Sequence, residues 1–172
     1  MNQHSLIAGA RYDFSELDVL VAEDNARMRR IFGTMLNGLG VETVRLAKSG
    51  NEALEILSAA TPDLVLADWH MRPMDGLTLA RNIRQSDDRI RFIPIIMAAG
   101  RVDQKEVTQS RDAGVNVLLL KPVSVSALAE KIAFLVEDET SFVAAPKYFG
   151  PDRRRRKKGY LPPDGERRKR LV

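Results

Sequence analysis

Apolar positions along the chain fall into two alternating kinds of pattern. Short, nearly unbroken apolar runs occur at Asp18 to Ala22, Leu64 to Ala67, Ile93 to Met97 and Val115 to Leu120, and the more polar Val41 to Leu46 is a further strand. A continuous run of this length reads as a strand buried on both faces, the kind found inside a parallel sheet. Between the runs lie amphipathic stretches. The first carries Met28, Ile31, Phe32, Met35, Leu36 and Leu39 at i, i+3, i+4 spacing, and the second Ala53, Leu54, Ile56 and Leu57. The third carries Leu77, Leu79, Ala80 and Ile83, a weaker fourth only Val102 and Val107, and the last Leu128, Ile132, Leu135 and Val136. Punctuation agrees with this division. Asn25 can cap the first helix, Ser49 and Glu52 have capping-box spacing, and Ser124 or Ser126 can cap the last. Gly38, Gly40, Pro62, Gly76 and Gly114 fall at element ends. Five strands alternating with five helices predict βαβ units, and hence a parallel sheet with helices on both faces. The right-handed crossover rule then makes it a doubly wound α/β sandwich.

Both ends of the chain break the pattern. Residues 1–16 carry no periodic signal and are expected to be a loose lead-in to a domain spanning 17–138. From 139 onward Pro, Gly and basic residues dominate. The chain holds 27 Lys+Arg and 23 Asp+Glu, a net +4. From Ser141 onward there are 11 basic and 3 acidic residues, so the basic pI describes the tail and the body is mildly acidic. With no Cys there is neither a disulfide framework nor a thiolate metal site. No segment approaches the ~18 unbroken apolar residues of a membrane span, and no signal-peptide pattern opens the chain. The expectation is a cytoplasmic protein without membrane insertion.

Several ionisable groups sit where strands end. Glu23 and Asp24 follow the first strand, Asp68 ends the third, and Lys121 follows the fifth. In an open α/β sheet, ligands bind beyond the carboxyl ends of the strands. Three carboxylates gathered there repel one another, which suits an oxygen-ligand site for a hard divalent cation such as Mg²⁺. Such a cation neutralises an incoming phosphoryl group, one carboxylate can act as nucleophile, and Lys121 can pair with phosphate oxygens.

With Glu23-Asp24, the Asp68-Trp69-His70-Met71-Arg72-Pro73-Met74-Asp75-Gly76 loop and Lys121-Pro122 at these spacings, residues 17–138 resemble the receiver domain of two-component response regulators, of the CheY-like kind. The resemblance implies a flavodoxin-like (βα)5 fold with strand order 2-1-3-4-5. It also implies Asp68 as phosphoacceptor, Glu23, Asp24, Asp68 and the His70 backbone carbonyl as Mg²⁺ ligands, Lys121 as phosphate partner, and a sensor histidine kinase as phosphodonor. Two positions depart from the family pattern. Ala99 stands where a Thr or Ser normally ends the fourth strand, and Leu118 stands where an aromatic normally precedes the lysine by three residues. These degenerate switch positions weaken the usual route from phosphorylation to a surface change. Arg72-Pro73 is a smaller departure, because Pro more often follows the Met directly.

The tail holds Tyr148-Phe149-Gly150-Pro151-Asp152 followed by Arg153, Arg154, Arg155, Arg156, Lys157 and Lys158. An imperfect second copy, Pro163-Asp164-Gly165-Glu166, runs into Arg167, Arg168, Lys169 and Arg170. So many Pro, Gly and like charges predict disorder until a polyanion arrives. Arg pairs with phosphates and guanine edges, a carboxylate such as Asp152 accepts from guanine N1–H and N2–H, and Tyr148, Phe149 and Tyr160 offer stacking surfaces. Nucleic acid, an anionic lipid surface or a nucleotide all fit a basic tail. The Tyr148-to-Arg155 string resembles the arginine-rich extension of the CheY-like cyclic di-GMP effectors called Cle proteins. That resemblance implies cyclic di-GMP as ligand of the 139–172 tail, bound through Tyr148 to Arg156 with Arg167 and Arg168, and the flagellar motor switch as docking partner. The expected function is a non-enzymatic signalling adaptor recruited to the motor. The rivals are a phosphorylation-driven response regulator with an incidental tail and a receiver with a nucleic-acid-binding tail.

Overall fold

The computed structural model describes residues 12–87, 89–137, 142–145 and 148–151. Five strands and five helices alternate: β1 (Asp18–Ala22), α1 (Ala26–Gly38), β2 (Thr43–Ala47), α2 (Gly50–Ala59), β3 (Leu64–Asp68), α3 (Gly76–Gln85), β4 (Ile95–Ala99), α4 (Gln104–Asp112), β5 (Val117–Leu120) and α5 (Val125–Glu137). The strands pair in parallel in the order β2-β1-β3-β4-β5, the flavodoxin-like doubly wound arrangement. Among the described residues, no helix is long and apolar enough to cross a membrane.

The period-2 geometry of a strand sends successive side chains to opposite faces, and here both faces are covered. Leu20, Ala22, Val65, Ala67, Ile95 and Met97 turn toward α2 and α3, meeting Leu57, Leu79 and Ile83. Val19, Val21, Leu66 and Ile96 turn the other way and meet Phe32 and Leu36 of α1 and Leu128 and Ile132 of α5. An unbroken apolar run is therefore what a central strand requires. Burying each such Leu, Ile or Phe contributes about 1.5–3 kcal/mol.

The expected caps form. Asn25 accepts from the Arg27 and Met28 amides, and Ser124 rather than Ser126 accepts from the Ala127 amide at 3.1 Å. The Ser49 capping box is half present: Ser49 Oγ accepts from the Glu52 amide, while the Glu52 carboxylate takes the Lys48 amide instead of that of Ser49.

Several boundaries differ from the sequence reading. Val41 is buried but precedes β2, because its amide still bonds back to Leu36 at the end of α1. β4 begins at Ile95 and runs through Ala99, two residues later than the Ile93-to-Met97 run suggests, and Pro94 contributes only its carbonyl, to Val65. β5 begins at Val117, since the Val115 amide is held by Ser110 of α4. The lead-in is not loose throughout. Phe14 is buried against the α1/α5 core and stacks on Tyr12 with ring centroids 6.0 Å apart.

The tail expectation also needs correction at its start. Residues expected to be disordered form two further strands, β6 (Phe142–Ala145) and β7 (Tyr148–Pro151), paired antiparallel with Phe142 opposite Pro151 and Ala145 opposite Tyr148. The segment begins Phe142-Val143 and ends Tyr148-Phe149, residue types that suit strands, before the charge run takes over. An isolated two-stranded hairpin is marginal in water, and this one has support: β7 lies against α3 and Gly150 is buried.

Candidate functional site

The β1–α1 turn holds Glu23 and Asp24 at the sheet's C-terminal rim, where Ala22 lies beside Ala67 of β3. Asp68 therefore comes next to them as the last residue of β3. Carboxylate oxygens of Glu23, Asp24 and Asp68 all lie within 4.8 Å of one another. Glu23 and Asp68 are buried and Asp24 is exposed, so the cluster is a cup open on one side. Hard oxygen donors so spaced fit a cation of the Mg²⁺ class.

Lys121 follows β5, with β4 between it and β3. Strand spacing of about 4.8 Å puts some 10 Å between the ends of β5 and β3. The side chain spans this gap past the end of β4, where Ala98 and Ala99 are buried on opposite faces of the sheet. Its backbone amide is fixed by the Ala99 carbonyl at 2.7 Å. Its ammonium reaches Asp68 Oδ1 at 2.6 Å and Glu23 Oε2 at 2.9 Å, with the Phe32 ring beneath it, the centroid 5.8 Å away. Burial pushes this ammonium toward the neutral form. The hydrogen bonds and charges of Asp68 and Glu23 outweigh it, so the Lys121 pKa ends above its ordinary value.

Main-chain donors finish the pocket. The His70 amide donates to Asp68 Oδ2 at 3.1 Å, the Asn25 amide to Glu23 Oε1 at 3.1 Å and the Arg72 amide to Asp24 Oδ2 at 3.1 Å. Close approach of α3 behind Asp68 requires a glycine. A Cβ on Gly76 would stand 2.3 Å from the Asp68 carbonyl oxygen and 2.6 Å from Met97 Sδ. Ala99 ends β4 fully buried, and Leu118 packs on the same apolar cluster, so neither switch position offers a hydroxyl or a ring.

The structure thus brings together Glu23, Asp24, Asp68 and Lys121 at the strand ends, and at His70, whose carbonyl the resemblance implies as a ligand, it places the amide on Asp68. It adds Arg29, one turn into α1, whose Nη1 donates to the Glu23 carbonyl at 2.7 Å and lies 3.4 Å from that of Asp24. The helical spacing from Asn25 was the available signal for it. Of the tail residues, Tyr148 and Phe149 lie in β7, Gly150 is buried and Pro151 half-buried. Asp152, Arg153, Arg154, Arg155, Arg156, Arg167 and Arg168 lie outside the described residues. A groove of about 490 Å³, lined by Asn51, Met71, Pro73, Met74, Asp75 and Thr78, lies beside the β3–α3 loop and does not include the carboxylate trio.

The match to known proteins follows this geometry. Residues 19–133 match the family model described as the response regulator receiver domain. The chain is 31% identical to the chemotaxis protein CheY-3 of Vibrio cholerae over 70% of its own length and 92% of the relative's. It is 40% identical to CheY1 of Helicobacter pylori over 67% of its length and 94% of the relative's. The receiver domain of a Pseudomonas aeruginosa sensor histidine kinase, solved with a magnesium ion coordinated in its active site cleft, superposes with a TM-score of 0.65 at 26% identity, covering 71% of this chain and 98% of that one. Fold, rim chemistry and sequence agree on one assignment: the chain belongs to the response regulator receiver domain family, in its CheY-like branch.

Proposed function

We propose that this chain is a CheY-like signalling adaptor with a receiver body at 17–138 and a ligand-binding tail at 139–172. The tail binds cyclic di-GMP, and the liganded form docks on a protein target, the flagellar motor switch. Asp152 and Arg153 to Arg156 carry guanine and phosphate recognition, Tyr148 stacks on a base, and Arg167 and Arg168 add phosphate contacts. The observation that supports this reading is the seat of β7 on α3. Asp152 and Arg153 follow Pro151 directly in the sequence. The bare Ala99 and Leu118 positions add to it, since they weaken the rim as sole input. Titration calorimetry with cyclic di-GMP tests the reading. The full chain should bind at micromolar or tighter affinity, and Arg153→Ala with Arg154→Ala at least tenfold more weakly. No heat with the parent chain refutes the dinucleotide reading. Strong binding of random RNA with a steep salt slope favours the nucleic-acid rival.

A second reading is supported by the Lys121 bridge. An intact carboxylate trio with a lysine ion-paired to both Asp68 and Glu23 is what phosphoryl transfer to Asp68 from a sensor histidine kinase needs. Asp68 Oδ2 is oriented by the His70 amide. Lys121 is placed to move from its carboxylate partners to a phosphoryl oxygen. Glu23, Asp24, Asp68 and the His70 carbonyl would hold Mg²⁺, which would supply charge neutralisation at the phosphoryl group. The two inputs are compatible on one molecule.

A further inference from the structure

The β3–α3 loop carries a cation that no other described residue engages. The Arg72 amide is pinned to Asp24 Oδ2 at 3.1 Å, and the Asp24 carboxylate lies within 4.8 Å of that of Asp68. The Arg72 guanidinium is exposed and makes no hydrogen bond or ion pair among the described residues. Its neighbours are already engaged. Arg29 is spent on the Glu23 and Asp24 carbonyls, and Asp75 caps α3 through the Thr78 amide at 2.7 Å. An extended arginine reaches roughly 6 Å beyond its Cα at about 1.5 Å per bond, enough to bring the fork over the open side of the cup.

Charge balance says what it would meet there. A phosphoryl group on Asp68 brings about −2, and Glu23 and Asp24 bring the site to about −4. Lys121 and one divalent cation offset about +3 of this, leaving an excess of about −1. The receiver pattern also places a hydroxyl donor at the end of β4, and Ala99 has none.

We propose that Arg72 is the phosphate-binding residue that completes this pocket, its guanidinium donating to the phosphoryl oxygens that Ala99 leaves unpaired. The role rests on the phosphorylation reading of Asp68. In transfer from an acyl phosphate, an Asp68 carboxylate oxygen forms the new P–O bond as the donor's P–O bond breaks. The electron pair departs with the released carboxylate, and no proton is consumed. Arg72 neutralises the charge carried by the arriving group and holds it in place afterwards, as planar guanidinium forks do with phosphates.

Beryllofluoride, with Mg²⁺ in excess, is the probe, read on the full chain by the fluorescence of Trp69, the single tryptophan, which directly follows Asp68. Arg72→Ala should weaken beryllofluoride binding by about tenfold and flatten its salt dependence, with Arg72→Lys in between. Binding of Mg²⁺ alone should not weaken in Arg72→Ala, because the amide bond to Asp24 survives the substitution. Equal beryllofluoride affinity in parent and Arg72→Ala overturns the role and leaves the phosphorylation reading standing. An equal loss of affinity for Mg²⁺ alone also overturns it, by showing that Arg72 only shapes the loop. Failure of the parent to take up either beryllofluoride or phosphoryl from acetyl phosphate removes the phosphorylation reading and the role of Arg72 with it.

Discussion

Lys121 is where the residues of the pocket depend on one another most. Glu23 is 2% exposed and Asp68 8%, and one ammonium serves both. Lys121→Met leaves two buried carboxylates facing each other, and the expected loss is about 2–3 kcal/mol at pH 7 by urea unfolding. The lysine's pKa is raised on folding, so its stabilising contribution is whole below the unfolded value near 10.5 and is lost as pH climbs through the higher folded value. Parent stability should therefore fall more steeply above pH 10.5 than that of Lys121→Met. These residues were legible in the sequence because each sits directly at the end of an apolar run, where the fold leaves a side chain little choice of direction. Arg29, Arg72 and Phe14 were not legible as contributors. Two act through main-chain atoms or as the chain's own donor, and Phe14 sits in a stretch with no period to reveal its burial.

Among the elements, α3 departs furthest from its sequence pattern. Arg84 belongs by spacing to a mixed face, yet it is 3% exposed. Its guanidinium donates to the carbonyls of Gly114, Arg91 and Ile93 at 2.8–3.0 Å and to Asn116 Oδ1 at 2.9 Å. Asn116 Oδ1 also accepts from the Ile95 amide, so one side chain ties the last turn of α3 to the entries of both β4 and β5. Gly114 has φ +82 and passes so close that a Cβ there would meet Arg84 Cγ at 2.8 Å. Arg84→Met keeps the bulk and strands these acceptors, and should lower stability by about 3 kcal/mol in urea unfolding. A periodicity argument cannot find such a clamp, because its acceptors come from loops as many as 32 residues away. The same loops explain the boundary differences. β4 and β5 begin late because the residues before them are held by Arg84, Asn116 and Ser110 rather than by the ladder.

For the molecule as a whole, the sheet order and its two apolar faces were legible because five strand segments with intervening helices, three of them buried almost throughout, admit few arrangements. The hairpin was not legible. Its residues sit against a strong charge run that dominates composition over any window wide enough to judge. β7 resting on α3 gives a measurable consequence: in a chain ending at Asp138, the backbone amides of α3 should exchange with deuterium faster than in the full chain, while those of α1 do not change. Helix α3 meets Asp68 at its first residue, through Gly76, and carries β7 along its flank. Anything that distinguishes two positions of this one rod is felt at both places, and thermodynamics allows no favouritism between them. On the proposed reading of the tail, whatever factor a phosphoryl mimic at Asp68 imposes on dinucleotide affinity, the dinucleotide must return to the mimic undiminished, so either ligand would serve as the gauge of the other.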